Sequence, residues 1–274
     1  MINGRTKLAC LIGSDVSESK SPQIHNYIYD KLDINCRYLN FSLNENELSD
    51  FVTSVKTLKI PGFNVTIPYK EKIIGLLDEI DDTARKIGAV NTVKNLDGKL
   101  IGYNTDGAGY VMSLKNNKVD IKGKKILVIG AGGAARGILF FLSKENPKSI
   151  HIMNRTKKNA EIVIDELKNY YNDIEYGHYD DKEEYDIIIN TTSIGMKSSD
   201  SPYLFTGKER AVVSDIVYNP RETRILKEAK DMGLKTVEGI EMLIYQAILA
   251  DEIWFDTSID SGVLVDDLKE IICT

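Results

Sequence analysis

The chain has 274 residues, 42% hydrophobic and 28% charged, with a formal net charge of -6, enough to bury a full core in one large or two moderate domains. Acidic and basic residues alternate along the chain rather than cluster, which argues against a nucleic-acid surface and for small-molecule partners. No apolar run approaches the ~20 residues of a membrane helix, and MINGRTKLACLIG lacks a signal-peptide core and cleavage site, so a cytoplasmic protein without a membrane partner is expected. Cys10, Cys36 and Cys273 form an odd set without metal-type spacing, and His25, His151 and His178 are dispersed. Free or buried thiols are therefore expected, and no metal site.

In chain order, LACLIG reads as a short strand, and SPQIHNYIYDKL as a helix because Ile24, Ile28 and Leu32 recur at helical spacing. CRYLNFSL is strand-like, ENELSDFVTSVKTL helical with a capping residue at its start, and GFNVTI a strand. Such alternation predicts an α/β unit with a parallel sheet. After GFNVTI, Pro68 presets a helical φ and YKEKIIGLLDEI continues with helical spacing, which places Lys70 in the first turn of a helix. In NTVKNLDGKLIGY, Asp97-Gly98 between two strand-like pieces is a hairpin signal and looks like the last strand pair of a first domain. A second series follows: ILVIG, SIHIM, YDIIINTT, AVVSDIV and LKTVEG give five strand candidates for a second α/β sheet. GIEMLIYQAILADEIWF and VLVDDLKEIICT are then read as helices that return to the first domain.

Lys70 raises a question. The positive end of a helix disfavours an ammonium by roughly 0.3–1 kcal/mol, whereas Glu71 suits it. A solvated surface lysine is the ordinary explanation; a functional one needs a carboxylate partner. Asp106 in GYNTDGAGY is a candidate, although Asn104, Thr105 and Asp106 could equally cap the helix that follows. In SESKSPQIHN, Ser19 and Ser21 precede a proline-started helix; capping suffices there too, and two hydroxyls at a positive helix end also suit a substrate carboxylate.

ILVIGAGGAARG carries Gly130-x-Gly132-x-x-Ala135 between an apolar strand and a helix. Glycines at this spacing permit a tight turn and let backbone N–H groups approach a pyrophosphate at the helix N-terminus. The next strand ends in HIMNRT, with Asn154, Arg155 and Thr156, then Lys157 and Lys158, where an NAD enzyme would carry an Asp or Glu for the ribose hydroxyls. A guanidinium with amide and hydroxyl donors suits a 2′-phosphate, so NADP is expected over NAD.

Taken in order, SKSP, NVTIPYK, GAVNT, NTDG, GAGGAARG, NRT, DIVYNP and the late Gln246 resemble the shikimate dehydrogenase family over nearly the whole chain. The resemblance implies two α/β domains: an N-terminal substrate domain, 1–105 completed by helices in 240–274, and a C-terminal Rossmann-like dinucleotide-binding domain, 106–239. It implies reversible NADPH-dependent reduction of 3-dehydroshikimate to shikimate in aromatic amino acid biosynthesis, by a monomer or homodimer. By position, Lys70 and Asp106 would be the catalytic pair. Ser19 and Ser21 would bind the substrate carboxylate, with Thr66, Asn91, Asp106, Tyr218 and Gln246 around the rest of the substrate. Gly130, Ala131, Gly132, Gly133, Ala134, Asn154, Arg155, Thr156, Lys158, Ile216 and Gly239 would line the cofactor. At the ketone, a donor beside the developing alkoxide is needed, and Lys70 would be that donor. Three positions depart from the family pattern: Glu241 for a glycine expected near the nicotinamide, Asn159 for a second arginine, and Arg224 for a proline. They bear on cofactor affinity more than on the reaction. The rival readings are an NAD-dependent quinate/shikimate dehydrogenase, against which Ser21 and Arg155 lean, and a non-catalytic NADP-binding regulator, against which the retained Lys70 and Asp106 argue.

Overall fold

The structure, a computed structural model, describes residues 2–178 and 184–272; Cys273 lies outside them. By its internal contacts the chain separates into two units, Met1–Asp106 with Ile244–Thr274, and Gly107–Leu243. Asp106 thus belongs with the first unit, and the second ends inside a helix rather than at 239.

The first unit holds β1 (Lys7–Gly13), α1 (Ser21–Lys31), β2 (Cys36–Ser42), α2 (Leu48–Thr57), β3 (Gly62–Val65), β4 (Glu79–Ile80), α3 (Asp82–Ile87), β5 (Thr92–Leu96) and β6 (Lys99–Tyr103). Its sheet has the order β2-β1-β3-β5-β6-β4. The expectation of a parallel sheet is corrected here, because the sheet is mixed: β1 pairs parallel with β2 and β3, while β5 runs antiparallel to both β3 and β6. The cause is local. Asp97 and Gly98 take φ of 51° and 94°, the two left-handed residues of a tight hairpin turn, and that turn reverses the chain into β6. The second correction concerns the segment after β3. Pro68 follows a cis peptide bond in a turn, and the first helical residues are a 3-10 stretch at Lys72–Leu76. Ile73 is buried there, but Gly75 sits in the middle, and glycine costs an α-helix about 1 kcal/mol relative to alanine.

Ile12, Phe63, Val65, Val93 and Leu100 build one face of the core. Of the last two helices, α8 (Ile240–Phe255) from Ile244 onward and α9 (Ser261–Ile272) belong to this unit. Trp254 on α8 donates from Nε1 to the Val93 carbonyl at 2.9 Å, and its ring lies on the Cα of Gly62, where any Cβ would collide with it. On the same helix Asp251 accepts from Tyr29 and faces His25 Nδ1, both at 2.9 Å, from α1. All three side chains are fully buried.

The second unit holds α4 (Asp106–Asn116, counted from Gly107), β7 (Lys125–Ile129), α5 (Gly133–Lys144), β8 (Ser149–Met153), α6 (Lys157–Leu167), β9 (Ile174–Tyr176), β10 (Ile187–Asn190), β11 (Val212–Asp215), α7 (Arg224–Asp231) and β12 (Thr236–Val237). The sheet order is β12-β11-β10-β7-β8-β9, and every pairing is parallel. Five of these strands match the five apolar runs; β9 carries no such run. Counted within the unit, the order is 3-2-1-4-5-6 read from the β9 edge, the doubly wound arrangement. Its strand order reverses between β7 and β10, and such sheets bind ligands outside the carboxyl ends of the strands at that point. Among the described residues no helix is long and apolar enough to cross a membrane.

Candidate active site

Lys70 is not in a helix, so no dipole opposes it. It lies in the turn after Pro68, and its carbonyl accepts from Val90 N at 2.8 Å, which ties that turn to the segment leading into β5. Its ammonium meets Asp106 Oδ2 at 2.5 Å, with the two side chains 16% and 8% exposed. A pair so little hydrated is held by partners rather than by solvent, and Asp106 has a second one: its Oδ1 accepts from Asn91 Nδ2 at 2.8 Å. The question of why a lysine stands there is answered by Asp106.

Asn91 is the junction of the site. Its Oδ1 accepts from Thr105 N at 2.8 Å, and this backbone donor fixes which way the amide faces. Nδ2 is thereby turned toward Asp106, Thr105 Oγ1 at 3.0 Å and Gln246 Oε1 at 3.4 Å. Lys70, Asp106, Asn91 and Gln246, four of the residues expected from the sequence, therefore share one network. Two members were not anticipated as site residues. Thr105 shares the Asn91 amide, and Asn64, buried in the middle of β3, donates to the Asn91 carbonyl at 3.1 Å and Thr92 Oγ1 at 3.0 Å while accepting from Tyr38 at 2.7 Å. An asparagine inside GFNVTI was the available signal, because a polar side chain in a buried strand needs partners.

The two serines do not cap α1. Its N-cap position is Lys20, without a side-chain cap bond. Ser19 Oγ instead donates to Ser21 Oγ at 3.2 Å and accepts from Ser21 N at 3.3 Å, so both hydroxyls sit side by side at the positive end of an eleven-residue helix. Thr66 packs its methyl group against the Cα of Gly13. Asn104 Oδ1 accepts from Asp106 N at 3.2 Å, so of the NTD residues Asn104 orients the start of α4 while Thr105 and Asp106 serve the network.

In the second unit, Gly130 has φ of 117° and a Cβ there would strike Thr191, so the turn after β7 needs glycine for conformation and space. Gly132 is different. It is the N-cap of α5 without a side-chain cap bond, and a Cβ on it would meet nothing within 4 Å. The opening beside Gly132 and the first N–H groups of α5 form a cradle that fits a pyrophosphate, with Ala131, Gly133 and Ala134 completing the turn. Past β8, Asn154 Nδ2 donates to the Thr156 carbonyl at 2.9 Å, which shapes a turn carrying Arg155 and Lys158 exposed. Lys157 is committed elsewhere, to Glu161 at 3.5 Å and the face of Tyr176. Beyond β11, Ile216 and Tyr218 are half-buried while Val217 is buried, and the Ile216 carbonyl packs on the Cα of Gly239. Two of the three departures have structural employment. Glu241 is buried and accepts from Asn116 and Asn117 at 3.0 and 2.9 Å. Arg224 pairs with Glu228 at 2.7 Å along α7, and Asn159 is exposed on α6. Among the described residues no group of three or more His, Cys, Asp or Glu could hold a metal ion.

Two family models match, described as the shikimate dehydrogenase substrate binding domain over residues 11–93 and as shikimate / quinate 5-dehydrogenase over residues 113–241. A relative from Methanococcus vannielii named shikimate dehydrogenase (NADP(+)) is 44% identical over 284 residues, covering 99% of each chain. Among solved structures, a shikimate dehydrogenase in complex with NADP+ superposes with a TM-score of 0.90 at 41% identity, covering 98% of this chain and 97% of its own. The shikimate 5-dehydrogenase of Listeria monocytogenes in complex with shikimate and NAD does so with a TM-score of 0.90 at 35% identity, covering 99% and 98%.

Proposed function

The chain belongs to the shikimate dehydrogenase family, and from that premise we propose that it catalyses the reversible NADPH-dependent reduction of 3-dehydroshikimate to shikimate in the cytoplasm. The observation that carries the reading is the Lys70–Asp106 pair, 2.5 Å apart and joined through Asn91 to Gln246. It supplies what a ketone reduction asks of a protein: a proton donor beside the oxygen that gains charge, and a carboxylate that holds it there.

The substrate is held on the first unit. Ser19 and Ser21 bind its carboxylate through their adjacent hydroxyls, and Thr66, Asn91, Asp106 and Gln246 bind ring hydroxyls. The cradle at Gly130–Ala134 takes the pyrophosphate, Asn154, Arg155, Thr156 and Lys158 take the 2′-phosphate, and Ile216 and Gly239 line the remainder. Bound NADPH supplies the hydride. As the ketone carbon accepts it, the C=O π pair collects on oxygen, and the Lys70 ammonium transfers a proton to that oxygen to give the hydroxyl. Lys70 then regains a proton from solvent. In the reverse direction it takes the hydroxyl proton. Asp106 keeps the ammonium oriented throughout, and Asn91 keeps Asp106 oriented.

The test is the nicotinamide absorbance with 3-dehydroshikimate and NADPH, then with shikimate and NADP. Turnover in both directions supports the reading. Binding of NADP without turnover supports the regulator instead, and preference for NAD with quinate supports the other dehydrogenase.

A further inference from the structure

Asp215 is a fully buried carboxylate to which the proposed reaction assigns no task. It closes β11 and lies in register with Asn190, which closes β10 and is in turn paired with Ile129 at the end of β7. Three donors converge on it from three segments. Asn190 Nδ2 and Val217 N reach Oδ1, both at 2.9 Å, and Thr223 Oγ1 reaches Oδ2 at 2.6 Å. Desolvation pushes its carboxyl above the usual aspartate range, and the bonds from Thr223, Val217 and Asn190 oppose that shift. An ionised carboxylate accepts without donating, so it dictates the polarity of every group around it.

The consequences pass outward along both loops. With its Nδ2 committed to Asp215 and to the Ile194 carbonyl at 3.2 Å, Asn190 presents Oδ1 to Thr192 N at 3.0 Å and Thr192 Oγ1 at 2.7 Å. The loop after β10 is thereby folded. In the loop after β11, Ile216 N donates to the Asn190 carbonyl at 3.1 Å, and Val217 is drawn inward by its bond to Asp215. Val217 is buried, whereas Ile216 and Tyr218 on either side of it are half-exposed.

The sheet order says what those two residues face. The adenosine end has its donors after β8, and the pyrophosphate cradle follows β7. An extended dinucleotide continuing in that direction passes the ends of β10 and β11, about 5 and 10 Å further along the sheet. We propose that Asp215 is a positioning residue for the nicotinamide end of the cofactor: it fixes the Ile216–Tyr218 backbone without touching ligand. This rests on the reading that the second unit binds NADP.

The experiment compares two ligands on the full-length protein and on Asp215→Asn. NADPH spans the whole site, whereas adenosine 2′,5′-bisphosphate occupies the β8 end alone. In the variant Oδ1 can keep Asn190 and Val217, while the amide N–H₂ faces Thr223 Oγ1, whose hydroxyl must turn to accept, so the charge-assisted bonds become neutral ones. NADPH affinity should fall about tenfold, the size of one charge-assisted hydrogen bond, while affinity for adenosine 2′,5′-bisphosphate stays within about twofold of the parent. Equal loss of both nucleotides would mean that Asp215 merely holds the unit together, and unchanged NADPH affinity would mean that the loop needs no anchor; either overturns the proposal. Failure of the parent to bind either nucleotide overturns the NADP reading itself. If Asp215→Asn does not fold, Thr223→Val removes one donor with little change of shape and should give the same split at about threefold. Its absence would be equally decisive.

Discussion

Replacing Lys70 with alanine removes the cation from a pair with a 2.5 Å separation and side chains 16% and 8% exposed. Two effects follow, and they are measured separately. Loss of a general acid lowers kcat by about 10²–10⁴-fold, equivalent to about 2.7–5.5 kcal/mol on the barrier. Asp106 is meanwhile left as a nearly buried carboxylate with Asn91 Nδ2 still on Oδ1. Breaking a fully buried pair from one side costs about 3–5 kcal/mol. Asn91 and the residual exposure of the site place the expected loss of stability at about 3 kcal/mol or below. Thermal unfolding reads the second effect, and initial rates across the neutral and alkaline range read the first. KM for NADP should stay within about twofold, because the residues assigned to the 2′-phosphate and pyrophosphate belong to the second unit. A kcat within about tenfold of the parent, or a fall in kcat/KM carried entirely by KM, would refute the assignment of Lys70 as proton donor.

Arg155→Asp should reverse the cofactor preference, with kcat/KM for NADPH falling at least about tenfold and that for NADH rising; an unchanged ratio at low and high ionic strength would remove Arg155 from the 2′-phosphate. Gly62→Ala puts a Cβ into the Trp254 ring and should cost about 1–3 kcal/mol in denaturant unfolding, the usual price of overpacking. Asp251 is fully buried, and desolvation raises its carboxyl pKa above the unfolded value, with His25 and Tyr29 pulling the other way. Its contribution to stability is therefore complete below the unfolded pKa of ~3.9 and is lost as pH rises through the folded value. Relative to Asp251→Asn, the parent should weaken between acidic and neutral pH in denaturant melts, and a constant difference would contradict the argument. Burial pushes the Cys36 thiol up to about 11 and Cys10 higher still, so neither should be alkylated in the native state at neutral pH, as read by peptide mass spectrometry.

What the residues determine alone is whatever depends on a few neighbours. Asp97-Gly98 turns the chain because those two positions take a left-handed φ, and it does so wherever the strands go. Gly130 and Gly132 open the turn after β7 by lacking a Cβ, and Asn154 bends the next turn through its own amide. The mixed character of the first sheet was not legible, because β5 pairs with β3 across the intervening Thr66–Asn91 segment. The edge strands β4 and β9 went unseen for a related reason: Glu79–Ile80 and Ile174–Tyr176 become strands by hydrogen-bonding to β6 and β8, without an apolar run of their own. Lys70 shows the division most clearly. Its sequence neighbours suggested a helix, and its meaning came from Asp106, thirty-six positions away. Asn64 joined the site through Tyr38 and Asn91, and Asp215 gathered Asn190, Val217 and Thr223. Local torsion preferences are written in short stretches of chain. The partners of a buried polar group are supplied by segments far apart in sequence, and only the tertiary structure brings those segments to within 3 Å of each other.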